Sequence, residues 1–232
     1  MLMSFLKKLF GKQKQNHDEQ IKKVLGNMSY RTLSEDISSE DLMREWQNAP
    51  REFGFPVVLV WNELLSDILC ENTYGYVDEN GLHEFLSSRI EELLSDEDMK
   101  EAYIGEESDD ADAENEFFEH DGGEVLLVSV PVFEPWQVFE KIPFGSYNEC
   151  PSPGIMAAFC RMLYEKYGAV PAMITGESLT LFAPNKPTKE EAYDLAMQMF
   201  AFCPDIVMQG YESIYALADV LTKSDIWYFW WD

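Results

Sequence analysis

Basic side chains are scarce in this 232-residue sequence. Lysine and arginine together number 17, against 43 aspartates and glutamates, so the formal net charge at pH 7 is −26. A chain this acidic repels the phosphates of DNA and RNA, which excludes nucleic acid as a general partner. A basic protein or a cation would suit this charge, and a basic protein is the partner that we expect.

Histidine and cysteine are also sparse, and neither is clustered. The histidines are His17, His83 and His120, and the cysteines are Cys70, Cys150, Cys160 and Cys203. No C-x-x-C pair of the kind used for zinc or redox chemistry is present, so the thiols are predicted to be small buried hydrophobes in a reducing compartment. A glycine-rich phosphate loop and a G-x-S-x-G elbow are missing too, and we predict neither a metal nor a cofactor.

Long apolar runs are another absence. None approaches the roughly 20 residues that a membrane-spanning helix needs, and the first residues lack the apolar core and cleavage site of a secretory signal. We therefore expect a soluble, cytoplasmic protein. At 46% hydrophobic and 14% aromatic residues, a chain of this length can bury about 70% of its unfolded surface. This allows one large domain, or one domain with a smaller companion.

The N-terminus carries a local excess of basic charge. Its sequence MLMSFLKKLFGKQKQ spaces four apolar residues as on one face of a helix and surrounds them with lysines: Leu2, Phe5, Leu6 and Leu9, with Lys7, Lys8, Lys12 and Lys14. We predict a basic amphipathic helix and a polar linker over residues 1–36. We favour docking of this helix on the acidic body of the same protein, or fraying, over membrane contact. Contact of residues 1–10 with a membrane would be at most weak and peripheral.

Acidic charge is densest over residues 96–123, which we predict to form a loop. Residues 91–121 contain fifteen acidic side chains and one basic residue, Lys100. A partial calcium-loop pattern occurs at Asp110, Asp112, Glu114 and Asp121. Asn115 stands where the sharp turn of such a loop requires glycine, so we interpret the segment as a solvated loop.

Alternating strand and helix patterns predict an α/β fold for the rest of the chain. Residues 37–95 contain a helix over SEDLMREWQ capped by Ser39, the buried strand VVLVW, and helices through NELLSDILC and LHEFLSSRIEELL. Residues 124–232 begin with the strand EVLLVSVPVF and continue with helices and the hairpin AVPAMIT and SLTLFAP. The connection between these two strands is too short to hold a crossover helix, so they must pair antiparallel. We therefore predict a mixed central sheet with helices on both faces.

The final segment, IWYFWW, is predicted to be the last strand. One of its faces would carry Ile226, Tyr228 and Trp230, and the other Trp227, Phe229 and Trp231. An edge strand that faces water usually alternates apolar and polar residues, whereas both faces here are apolar. We therefore expect this strand to run through the middle of the sheet, covered by helices on both sides.

Four ordered motifs of the C-terminal half resemble a bacterial family known as domain of unknown function 4253. They are EPWQVFEKIPFGSYNECPSPG, YGAVPAMIT, AFCPDIVMQG and WYFWWD, and the resemblance covers about residues 124–232. It implies a domain boundary near residue 124 and a bacterial, intracellular context. It implies no particular reaction.

Polar residues of these motifs are the candidate site. Trp136, Asn148, Glu149, Cys150, Asp205 and Asp232 all match the family pattern. Polar residues in ordered loops between buried strands often carry function, which singles out the Asn148–Cys150 loop (the NEC loop) and the Cys203–Asp205 loop (the CPD loop). Turns and helix starts also select Asn, Asp and Pro for structural reasons.

Two classes of function remain open on the sequence alone. The preferred hypothesis is a non-catalytic interaction protein, resembling immunity proteins in binding a basic partner through an acidic surface. The alternative is a small hydrolase or transferase. In that case a helix dipole would lower the pKa of Cys150, with Glu149 or Asp205 as acid–base partner. Glu149, Asp205 and Asp232 could instead gather around a cation or a basic side chain.

Overall fold

A six-stranded mixed sheet runs through the part of the chain that the computed structural model describes, residues 18–106 and 122–232. Its strands are β1 (Ser29–Thr32), β2 (Phe55–Trp61), β3 (Glu124–Val130), β4 (Val170–Ile174), β5 (Ser178–Phe182) and β6 (Ile226–Trp230). The order across the sheet is β1-β3-β2-β4-β5-β6. Strands β2 and β4 are parallel, and the remaining neighbours are antiparallel. The predicted mixed sheet is confirmed.

Helices occupy most connections between these strands. They are α1 (residues 18–25), α2 (Ser39–Gln47), α3 (Glu63–Glu71), α4 (Glu79–Leu93), α5 (Glu97–Ile104), α6 (Val138–Lys141), α7 (Pro153–Tyr167), α8 (Lys189–Phe202) and α9 (Ile214–Lys223). A 3₁₀ turn (Pro135–Gln137) precedes α6, and a π-helical turn (Ile206–Tyr211) precedes α9. Among the described residues, no helix is both long enough and apolar enough to span a bilayer.

Side-chain caps explain where several helices begin. The side chains of Ser38, Asn62, Asp78, Ser152, Thr188 and Ser213 each accept a hydrogen bond from the backbone N–H three residues further on. Ser38 therefore caps α2, in place of the predicted Ser39. Gly168 ends α7 in the left-handed conformation, as the sequence indicates.

The centre of the sheet forms the core. All seven residues of β2 are buried, and so are all five residues of β4. Side chains of a strand alternate between its two faces, so burial at every position requires cover on both faces. The continuous apolar runs of the sequence predict this arrangement correctly.

Residues 18–36 are not a linker, contrary to the prediction. Helix α1 places Ile21 and Leu25 in the core, at 2% and 1% exposure, and β1 pairs with β3 along its whole length. The prediction is wrong because the three apolar residues of α1, Ile21, Val24 and Leu25, span little more than one turn, which is too short to establish a helical period. The predicted amphipathic helix of residues 1–10 lies outside the described residues.

The predicted acidic loop is also partly helical. Residues Glu97–Ile104 form α5, because glutamate, alanine and lysine are good helix formers even where few apolar side chains contact the core. Residues 107–121, with the partial calcium pattern, lie outside the described residues.

The aromatic strand β6 lies at one edge of the sheet, and the prediction of a central position is wrong. Trp227, Phe229 and Trp231 are buried, but Tyr228 and Trp230 on the opposite face are half-buried. From Trp227 to Trp231, buried and half-buried positions therefore alternate. The sequence hides this alternation because the half-buried positions also carry aromatic residues.

A close backbone contact joins the two halves of the chain. A Cβ atom built on Gly154, at the start of α7, would lie 1.8 Å from the carbonyl oxygen of Gly75. Gly75 belongs to the loop between α3 and α4. The absence of a side chain at Gly154 therefore allows α7 to pack directly against that loop.

We predict that Gly154→Ala destabilises the protein. Alanine favours a helix over glycine by about 1 kcal/mol, but the clash with backbone should outweigh this gain and lower the free energy of unfolding by about 2 kcal/mol. Urea unfolding followed by circular dichroism would measure it. Gly75→Ala is the matched control, because a Cβ atom there meets nothing within 4 Å. Equal stability of the two variants would contradict the prediction.

Candidate functional site

The NEC loop is a tight turn between α6 and α7. The backbone N–H of Ser146 donates to the carbonyl of Pro151 at 3.0 Å, and that of Cys150 donates to the carbonyl of Tyr147 at 2.7 Å. Ser146 and Asn148 both have positive φ, at 59° and 44°. Asparagine tolerates this left-handed conformation better than most residues. Asn148 thus has a structural role in shaping the turn.

The CPD loop is attached to the end of β6. The Cys203 thiol donates to the carbonyl of Trp230 at 2.9 Å, and one carboxylate oxygen of Asp205 accepts from the backbone N–H of Asp232 at 3.2 Å. The other oxygen of Asp205 accepts from the Gln209 amide at 3.0 Å. Asp205 therefore fixes the last strand relative to the π-helical turn.

Two of the three candidate carboxylates are bound to different groups. Asp205 meets the backbone of Asp232, whereas Glu149 forms an ion pair with Arg89 of α4. Over residues 18–106 and 122–232, no group of three or more His, Cys, Asp or Glu side chains is arranged to hold a metal ion. The structure thus gives no support to a shared cation at these carboxylates.

Cys150, the last residue of the NEC loop, is buried at 5% exposure. Burial raises the pKa of its thiol, and this effect outweighs the lowering effect of the neighbouring Tyr147 phenol. Burial also raises the pKa of the Tyr147 phenol, which interacts with both thiols. The sequence hypothesis required a lowered pKa at Cys150, but this pKa is raised, because desolvation outweighs any helix dipole.

Trp136 lies apart from these loops, in the 3₁₀ turn Pro135–Gln137. The Arg161 guanidinium of α7 sits over its ring, 5.5 Å from the ring centroid. The Nε atom of Arg161 also donates to Glu165 at 2.7 Å. Trp136 and Glu165 together fix the position of Arg161 on the surface of α7.

Residues 126–232 match the family model described as Domain of unknown function (DUF4253). This match spans 107 of the 232 residues, and we call this segment the DUF4253 domain. The match begins two residues after the predicted boundary at residue 124, which confirms the resemblance seen in the sequence. No curated protein and no solved structure matches the chain.

The DUF4253 domain does not supply its whole sheet. The match covers most of β3 and all of β4, β5 and β6, yet β2 lies between β3 and β4. Val58 and Leu59 of β2 pair with Met173 and Ile174 of β4, and all seven residues of β2 pair with β3. A strand from the N-terminal half therefore completes the domain.

A groove next to Trp136 and Arg161 is a second candidate site, which sequence reasoning missed. It has a volume of about 530 Å³ and lies between α4 of the N-terminal half and α7 and α8 of the DUF4253 domain. Its lining includes Leu82, His83, Leu86, Ala158, Arg161, Met162 and Glu165. These residues are distant in sequence, and Trp136 is the only predicted residue that adjoins the groove.

We predict that a fragment of residues 122–232 does not unfold cooperatively. Without β2, strands β3 and β4 lose their shared neighbour and expose apolar edges. Near-UV circular dichroism and urea unfolding would test this. A fragment of residues 37–232, which lacks only α1 and the edge strand β1 from the described chain, should retain a cooperative transition. A cooperative transition in residues 122–232 alone would contradict the prediction.

We further predict that one of the four thiols reacts with a thiol reagent in the native protein. Cys70 is exposed on α3, and the other three cysteines are buried. Intact mass after brief iodoacetamide treatment at pH 7.5 should show a single adduct, lost in Cys70→Ser, and four adducts after denaturation. Rapid native labelling of Cys150 would overturn the assignment and revive the catalytic hypothesis.

Proposed function

We propose that this protein is a non-catalytic binding protein whose acidic surface engages a basic protein partner. The supporting observation is that several lysines and arginines of the protein are paired with its own carboxylates. In the described chain, Arg31, Arg44, Arg89, Lys100, Arg161, Lys166 and Lys223 each lie within 4 Å of a carboxylate of the same chain. The net charge of −26 already counts these cations, and their pairing within the chain leaves the surplus carboxylates to face a partner.

Exposed carboxylates are available on helices that flank the sheet. Asp67 and Glu71 are exposed one turn apart on α3, and Glu84 and Glu91 are exposed two turns apart on α4. Such a surface raises the rate at which a basic protein encounters it, and this effect weakens as salt screens the charges. Binding should therefore depend strongly on ionic strength.

Burial of the reactive groups favours binding over catalysis. A hydrolase or transferase built on the Asn148-Glu149-Cys150 and Cys203-Pro204-Asp205 loops would need an accessible thiolate and a free carboxylate. Cys150 is buried, and Glu149 is engaged by Arg89. The catalytic alternative therefore has less support. An immunity-like role in a bacterial cytoplasm, with a basic toxin as the partner, is the form of binding that we propose.

Capture from a lysate of the native cells would test this function. We expect the tagged full-length protein to retain one basic protein in near-equal amount at 50 mM salt and to release it at 500 mM salt. Two charge-reversal variants, Asp67→Lys with Glu71→Lys and Glu84→Lys with Glu91→Lys, should show which helix contributes. Cys70→Ser is the control, because it changes an exposed residue of α3 without altering charge.

The salt dependence of retention and the effect of the charge-reversal variants together test the proposed function. Release at high salt, combined with at least a threefold loss of retained protein in one reversal variant, would support the proposal. Recovery of no protein, or retention that neither salt nor either reversal changes, would refute it.

A further inference from the structure

The groove between α4 and α7 has an apolar floor. Leu82 and Leu86 contribute from α4, and Ala158 and Met162 contribute from α7. These pairs are four residues apart, so each pair lies on one face of its helix. The volume of about 530 Å³ falls within the roughly 300 to 1,000 Å³ of typical ligand pockets. The floor can therefore hold apolar side chains of another molecule.

The rim of the groove has an excess of carboxylates. Asp78, Glu79 and Glu165 line it together with two cations, Arg161 and Lys166. Lys166 lies 3.3 Å from a further carboxylate, Glu191 of α8. The local charge is thus negative even before the rest of the acidic surface is considered. An incoming cation is favoured at this rim, and an incoming anion is not.

Arg161 is already held by groups of the protein itself. It lies over the Trp136 ring, donates to Glu165 at 2.7 Å and has Glu79 at 4.0 Å. An anionic ligand would have to displace Glu165 from Arg161 and approach the remaining carboxylates. This cost argues against phosphate or carboxylate recognition in the groove.

Glu79 is the rim carboxylate best placed to receive a new cation. Its side chain is 84% exposed, and its contact with Arg161 is at the 4.0 Å limit for an ion pair. Asp78, in contrast, caps α4 by accepting the backbone N–H of Gly81 at 2.9 Å. Glu79 can therefore turn towards a partner at little cost to the fold.

We propose that this groove seats a segment of the basic partner, with apolar side chains on the floor and a lysine or arginine against Glu79. This inference rests on the proposed function and assigns it a site. Helices that present apolar residues at i, i+3 and i+4 bind grooves of this type. The apolar floor supplies contact area, and the acidic rim selects a cationic flank.

A designed peptide provides the probe. An amphipathic helix of leucine and lysine should bind the full-length protein and shift the methyl resonance of Met162 in a methionine-methyl-labelled sample. Met156, fully buried on the same helix, should not shift. A peptide with glutamine in place of leucine keeps the charge but should leave Met162 unchanged. No shift of Met162 with the leucine peptide would overturn the proposal.

Matched variants distinguish binding at the groove rim from attraction by the overall negative charge of the protein. Glu79→Gln should weaken peptide binding about threefold to fivefold. Glu91→Gln, an exposed position on the same helix outside the groove, should weaken it less than twofold. Ala158→Phe, which fills the groove, should reduce binding at least tenfold, whereas Ala158→Ser should not. Equal effects of the two glutamine variants would refute the proposal even if Ala158→Phe fails to fold.

The captured partner distinguishes this inference from the proposed function. If the partner binds in a salt-dependent manner but Glu79→Gln and Ala158→Phe leave its affinity unchanged, the groove assignment fails and the proposed function stands. If no basic partner is captured while the peptide shifts Met162, the proposed function fails, and the groove is instead a site for small amphiphilic cations, contrary to our assignment of a protein segment.

Discussion

The insertion of β2 between β3 and β4 is the constraint on which the architecture depends. Strand β2 comes from the N-terminal half, yet it is the only link in the sheet between β1 and β3 on one side and β4, β5 and β6 on the other. All of its residues are buried. The match to the DUF4253 family therefore marks a segment of sequence whose folding unit includes at least one strand from outside it.

A cluster of aromatic side chains packs within the DUF4253 domain. Phe159 of α7 stacks on Phe202 of α8 with ring centroids 4.0 Å apart, and Phe229 of β6 meets both rings edge-on. Edge-to-face and stacked pairs of this kind each stabilise a core beyond the area they bury. Because α7 also packs against α4, the same helix carries part of the aromatic cluster and one wall of the groove.

The sequence predicts elements best where one local signal dominates. The apolar run of β2 is a strong signal, and this strand occurs as predicted. Helix α1 escapes prediction because only tertiary contacts reveal that Ile21 and Leu25 are buried. The ion pair of Glu149 cannot be seen in the sequence, because its partner, Arg89, is 60 residues away. The groove depends on three helices meeting in space, so no local pattern can indicate it.

The position of β2 also has a consequence for synthesis on the ribosome. Strand β2 emerges well before β3 and β4, because α3, α4, α5 and the acidic segment separate it from β3. During that interval a wholly apolar strand has no neighbour on either edge, a state that favours aggregation. The carboxylates of α3, α4 and the acidic segment emerge directly behind it, and their mutual repulsion would keep nascent chains apart. We therefore expect the acidic composition to oppose aggregation of the chain before it has folded.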